Sequence, residues 1–305
     1  MKSSLKKLSL LFIICLLSNC TSKKQIVYQP LDISKKTYTY KKTENGTKLK
    51  LDLYTSTKLK NDAPLIIYVH GGGFSGGSRD ENHIKEFCTE MAKNGFITAS
   101  ISYRLTMKNY GFGCNTKSSL KIDAFNSASE DISYATKYLI DNKKRFKINN
   151  KKIILIGSSA GAEAVLNLVY VYNNKILPKD FKYAGVIAMA GAITSLNGIT
   201  KKTAIPTQLF HGDKDKLVPF DIAPHHYCDK NSDGYLILYG SKAIANKLKE
   251  INASYYLYTI ENGNHSWSSK PMYLCKKEIF DFIYNYVLKN SKNKEIIVKK
   301  KSLKI

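Results

Sequence analysis

Ile153-Ile154-Leu155-Ile156-Gly157-Ser158-Ser159-Ala160-Gly161 is the stretch on which the fold turns. Its four leading apolar residues show no period-two alternation, so they suit a strand buried on both faces, the kind found in parallel sheets. The run stops at Gly157, and a helical apolar pattern continues from Ala160 to Tyr172. Ser159 is the centre of a Gly-x-Ser-x-Gly pattern between the two. By composition the three fixed positions recur in about one chain in ten of this length, so the pattern gains weight from its place between strand and helix. There the turn exposes the serine hydroxyl above the sheet edge, and the flanking glycines leave room for neighbouring backbone. The helix N-terminus turns its free amides and partial positive charge to the same spot. A tight turn without chemistry is the bland alternative, and Ser158, one place early, is expected to point elsewhere.

Upstream, Leu65 to Val69 and Phe96 to Ile101 are similar apolar runs, with helical patterns at Glu81 to Lys93 and Asp123 to Asn142. Strands continue at Ala184 to Met189, Thr207 to Phe210 and Tyr255 to Ile260, with helices at Ser241 to Glu250 and about Pro271 to Lys289. Before them, Tyr38 to Lys42 and Lys48 to Tyr54 alternate around Asn45-Gly46, a strong signal for a hairpin. The expectation is an α/β fold whose mainly parallel central sheet has an N-terminal antiparallel hairpin and helices on both faces. With 305 residues, 43% of them apolar, and no repeats or internal linker, residues 37–290 fit one domain. Ligands of such sheets bind at the carboxyl ends of the strands.

The chemistry-bearing residues fall at those ends. His70-Gly71-Gly72-Gly73-Phe74 follows the first long run, and Leu209 to Pro219 contains His211-Gly212-Asp213-Lys214-Asp215 ahead of Val218-Pro219. Gly263-Asn264-His265-Ser266 follows the last strand. Together with Leu51-Asp52-Leu53-Tyr54 and Tyr103-Arg104-Leu105, these segments resemble the HGGG esterases. Those are α/β-hydrolases related to hormone-sensitive lipase and to carbohydrate acetyl or feruloyl esterases. The resemblance covers about residues 38–289. It implies Ser159 as nucleophile, His265 as base, Asp215 as acid, and an oxyanion hole of the Gly72, Gly73 and Ala160 amides. Asp213 is the rival acid, with hydrogen bonding to its own turn as its plain role. The order oxyanion loop, Ser, Asp, His is that of α/β-hydrolases. The other histidines fit less well: His70 and His211 belong to the motifs, His83 to a helix, and His225 and His226 to an insertion after the acid.

The resemblance implies a serine carboxylic-ester hydrolase for short-chain or aryl acyl esters, with removal of acyl groups from glycans by analogy. No metal or cofactor is called for. The segments Thr106 to Lys121 and Ala223 to Tyr239 are the expected pocket walls, and no long apolar cap segment appears, which argues against a triacylglycerol lipase. A peptidase resembling the prolyl oligopeptidases shares the elbow and triad, but those usually carry a propeller for which this chain has no room. A lipoprotein that kept the fold only for binding need retain none of these residues.

Residues 1–20 read as an export signal: Lys2, Lys6 and Lys7 precede an apolar run from Leu8 to Leu17, too short to span a bilayer comfortably. Leu17-Ser18-Asn19-Cys20 resembles a bacterial lipobox with Cys20 as the lipidated residue, although Asn19 is larger than usual there; an ordinary signal cut nearby is the alternative. Either implies export, and the lipobox implies a lipid anchor in a cell-envelope membrane. Residues 21–36 read as a tether and the basic stretch 291–305 as a frayed tail. The net charge of +24 is almost all lysine, with arginine only at Arg79, Arg104 and Arg145, and it is spread along the chain. That reads as a solvated surface rather than a nucleic-acid site. Cys88, Cys114, Cys228 and Cys275 follow the signal and permit three pairing schemes if all are oxidised; Cys88 is expected to be buried, and a Cys228–Cys275 bond is one candidate, since both follow the loops assigned to catalysis. Nothing in the sequence sets the oligomeric state.

Overall fold

The computed structural model describes residues 32–289 and 295–301. The export signal, Cys20 and most of the tether lie outside the described residues. The chain enters as a hairpin, β1 (Ile33–Lys42) and β2 (Lys48–Ser56), and then winds through β3 (Ala63–Val69), α1 (Asn82–Lys93), β4 (Ile97–Ile101), α2 (Ser118–Asp141) and α3 (Lys143–Phe146). β5 (Ile148–Ser158), α4 (Ala160–Tyr170), β6 (Gly185–Met189), β7 (Ala192–Ile193) and β8 (Thr207–Gly212) follow. The last part contains β9 (Ile222–Pro224), β10 (Ile237–Gly240), α5 (Ser241–Glu250), β11 (Tyr255–Glu261), α6 (Pro271–Leu274), α7 (Lys276–Phe282) and β12 (Glu295–Lys301). Nine of the described strands form one sheet in the order β1-β2-β4-β3-β5-β6-β8-β11-β12. The first two pairings, β1 with β2 and β2 with β4, are antiparallel, and the rest of the sheet is parallel. β7, β10 and β9 make a small second sheet.

The unbroken apolar runs are explained by the pleat, which sends alternate side chains to opposite faces. Leu65, Ile67, Val69, Ile153 and Leu155 enter one core layer, under α2, α4 and α5, while Ile66, Tyr68, Ile154 and Ile156 enter the other, under α1, α6 and α7. With helices on both faces, no strand position in these runs meets water, and all nine of these side chains are fully buried.

Three expectations are corrected. The tether ends earlier than residue 36, because β1 begins at Ile33 and pairs with β2 from Ile33 opposite Ser56. The tail is not simply frayed: β12 lies parallel to β11, and Ile296 and Val298 pack against the core layer containing Tyr256 and Tyr258. The lysines around Ile296-Ile297-Val298 concealed a strand whose alternate residues face the protein. Cys228 bonds Cys114, not Cys275. Cys275 is buried in the core beside Met272 and Ile279, whereas Cys228 ends the turn that closes over the cavity. Cys88 is buried and unbonded, as its apolar helical setting implied.

Candidate active site

β5 runs directly into α4, and Ser159 is the hinge, with φ 51° and ψ −122°, a conformation that few non-glycine residues adopt. The surrounding structure holds it there. Its amide donates to the Met189 carbonyl at 2.9 Å, and its carbonyl accepts the Glu163 amide at 2.9 Å. A Cβ on Gly161 would overlap the Val69 carbonyl oxygen, and one on Gly157 would overlap the carbonyl of Gly161. The packing of β3 against the turn thus demands Gly161, and the close approach of the first turn of α4 demands Gly157. Ser158 turns away and donates to the Ser268 carbonyl at 2.6 Å.

Three sequence-distant loops meet at Ser159. Its Oγ lies 2.8 Å from His265 Nε2, and His265 Nδ1 lies 2.7 Å from Asp215 Oδ2. With Nδ1–H donating to the carboxylate, Nε2 is left to accept the serine hydroxyl proton. The other oxygen of Asp215 accepts the amides of Leu217 and Val218 at 2.8 and 3.1 Å, so the carboxylate is fixed at both ends. Burial would push the Asp215 carboxyl up, but contacts with His211 and His265 outweigh it and hold the group well below the usual carboxylate range. Asp213 is separated from this relay: its Oδ1 accepts the Asn262 amide at 2.7 Å and ties two loops together.

Gly72, Gly73 and Ala160 line the same cavity as Ser159 and His265, a space of about 490 Å³ at the carboxyl ends of β3 and β5. Among the described residues, the amides of these three make no hydrogen bond to a protein acceptor outside the helices and strands. Gly72 (φ +111°) has a reason of its own to lack a side chain, since a Cβ there would overlap the Gly76 carbonyl. Amides free to point into a cavity beside a serine hydroxyl can stabilise an oxygen that gains negative charge.

Both expected walls are present. Phe112 comes from the first segment and His225 and His226 from the insertion, and the Cys114–Cys228 disulfide joins the two. His225 and His226 thus stand on an expected wall and not in the relay, whereas Glu163, which the sequence did not single out, also lines the cavity. A lone carboxyl in the otherwise apolar start of α4, Ala160-Gly161-Ala162-Glu163-Ala164-Val165, was the available signal for Glu163. Among the described residues no cluster of His, Cys, Asp and Glu suits a metal ion.

A largely parallel sheet with helices on both faces, carrying Ser159, Asp215 and His265 after β5, β8 and β11, is the α/β-hydrolase fold. The family described as BD-FAE matches residues 51–196, just under half of the chain. That match includes the glycine loop and Ser159 but ends before Asp215. A thermophilic esterase from the planctomycete Thermogutta terrifontis, in a butyrate-bound structure, has a similar fold, with a TM-score of 0.61 and 17% identity over 84% of this chain and 94% of that one. The bovine (Bos taurus) neutral cholesterol ester hydrolase 1 is 28% identical over 37% of this chain and 26% of its own length. A secreted triacylglycerol lipase of Gibberella zeae is 25% identical over 58% of this chain and 28% of its own. The endo-1,4-beta-xylanase B of Butyrivibrio fibrisolvens is 22% identical over 68% of this chain and 32% of its own. The chain thus spans about a quarter to a third of the length of these curated relatives.

Proposed function

We propose that this protein is a serine ester hydrolase. The observation that carries the reading is the continuous relay from Ser159 through His265 to Asp215 beside three free amides. In the first step Ser159 Oγ bonds to the ester carbonyl carbon as His265 Nε2 takes the hydroxyl proton, and the carbonyl oxygen becomes an oxyanion held by the amides of Gly72, Gly73 and Ala160. The C–O bond to the alcohol then breaks, and His265 gives the alcohol its proton. Water repeats the sequence on the acyl-serine: it loses a proton to His265, releases the acid, and Ser159 regains its proton. Asp215 keeps the imidazole oriented and stabilises its cation. Purified protein is expected to hydrolyse p-nitrophenyl acetate, and Ser159→Ala to lose at least about 10⁴-fold in kcat; unchanged turnover by the variant removes Ser159 from the mechanism.

The reading extends to short acyl groups on glycans. A cavity of about 490 Å³ suits a small acyl group, and a partial relative is named as a xylanase. Release of acetate from acetylated xylan tests it. The basic and apolar pattern of residues 2–20 supports export and a lipid anchor on Cys20. Cys20→Ala is expected to move the protein from the membrane to the soluble fraction.

A further inference from the structure

Glu163 and His225 line the cavity yet take no part in the relay. Glu163 lies one helical turn beyond Ser159 on α4 and is 2% exposed; His225, held by a 2.8 Å bond from its amide to the Leu236 carbonyl, is 1% exposed. His225 Nε2 is 3.5 Å from Glu163 Oε1, too far for a good hydrogen bond. Among the described residues, Glu163 Oε1 and His225 Nδ1 have no hydrogen-bond partner. Their neighbours do not supply one: the Phe112 ring stands edge-on to His225 with centroids 4.9 Å apart, and the Lys121 ammonium donates to the Gly234 carbonyl at 2.9 Å. A buried polar atom without a partner is costly, and here two neighbouring residues of one cavity wall each carry one, which points to a ligand subsite between them.

We propose that Glu163 and His225 form a polar subsite for a hydroxyl group carried by the ester substrate, which donates to one of them and accepts from the other. This rests on the ester-hydrolase reading and narrows its substrates to hydroxylated esters. A cation at this point would face the Lys121 ammonium, and an anion would lose its hydration among buried groups, whereas a hydroxyl needs only a donor and an acceptor. Burial also drives the Glu163 carboxyl well above its ordinary range and the His225 imidazole well below, favouring the uncharged form of each. The hydroxyl belongs to the acyl part or to the alcohol part of the ester.

Two substrate pairs separate these sources. Ethyl 3-hydroxybutyrate against ethyl butyrate tests the acyl side, and glycerol 1-monobutyrate against propyl butyrate tests the alcohol side. The wild-type protein is expected to favour the hydroxylated member of one pair by at least about tenfold in kcat/KM. The preference should fall to about one in Glu163→Leu and His225→Phe and be largely kept in Glu163→Gln, which retains a donor and an acceptor. Equal turnover within both pairs by the wild type overturns the subsite and assigns the two polar atoms to buried water, and this comparison stands even where a variant fails to fold. Absence of turnover of all four esters and of p-nitrophenyl acetate sinks the hydrolase reading and the subsite with it.

Discussion

Asp215 and Asp213 are two residues apart and differ in all that matters for catalysis. Asp215 Oδ2 lies against His265 Nδ1, where the proposed mechanism needs an orienting carboxylate, whereas Asp213 ties a loop to Asn262. Asp215→Asn is expected to lower kcat by about 10⁴-fold, because the amide favours the wrong imidazole tautomer. Asp213→Asn should stay near wild type; comparable losses in the two variants would show that the relay is misassigned. His226 sets a pH signature of its own. Burial, then the charges of Lys121 and His265, lower its imidazole to about 4, below the ordinary 6.5. Between those values the unfolded chain binds a proton that the folded protein does not, so this residue removes stability as pH falls through that window. The urea midpoint of His226→Asn should therefore decline less between pH 6.5 and pH 4.5 than that of the wild type, and parallel declines would contradict the assignment. At this scale Ser159, Asp215 and His265 were legible because each sits in a loop that follows a recognisable strand. Glu163 and His225 were not, since they meet only after an insertion folds back over α4, and no local pattern encodes that.

The strand-turn-helix around Ser159 owes its shape to close backbone approach. Gly161 lies against the carbonyls of Val69 and His70 at the end of β3, which leaves no space for a methyl group. Gly161→Ala is expected to cost about 2 kcal/mol or more in urea unfolding, since neighbouring backbone must move to admit it. A loss below a few tenths would mean that the β3–α4 contact is looser than described. The parallel strands were legible as elements because residues buried on both faces leave an unbroken apolar run. β12 was not, because the lysines on an edge strand mask the short apolar segment that pairs with β11.

Across the whole molecule, the pocket is assembled from parts that the sheet alone does not hold together. The Cys114–Cys228 bond joins two walls separated by 114 residues, and the Ser118 amide donates to the Asp233 carbonyl beside it at 2.8 Å. Reducing the bond should lower stability by about 2–4 kcal/mol and raise KM, because Phe112 and His225 lose their fixed spacing. A thermal melt and steady-state kinetics with and without reductant read both, and no change in either would show the walls to be held by packing alone. The pairing was hidden from the sequence because it depends on where two long loops come to rest. On the proposed mechanism one hydroxyl, that of Ser159, is the activated nucleophile of the molecule. Labelling the intact protein with a fluorophosphonate and locating the adduct by peptide mass spectrometry identifies that hydroxyl. A single adduct on Ser159, absent from Ser159→Ala, is the result expected; an unlabelled wild type, or an adduct on Ser158, would contradict it.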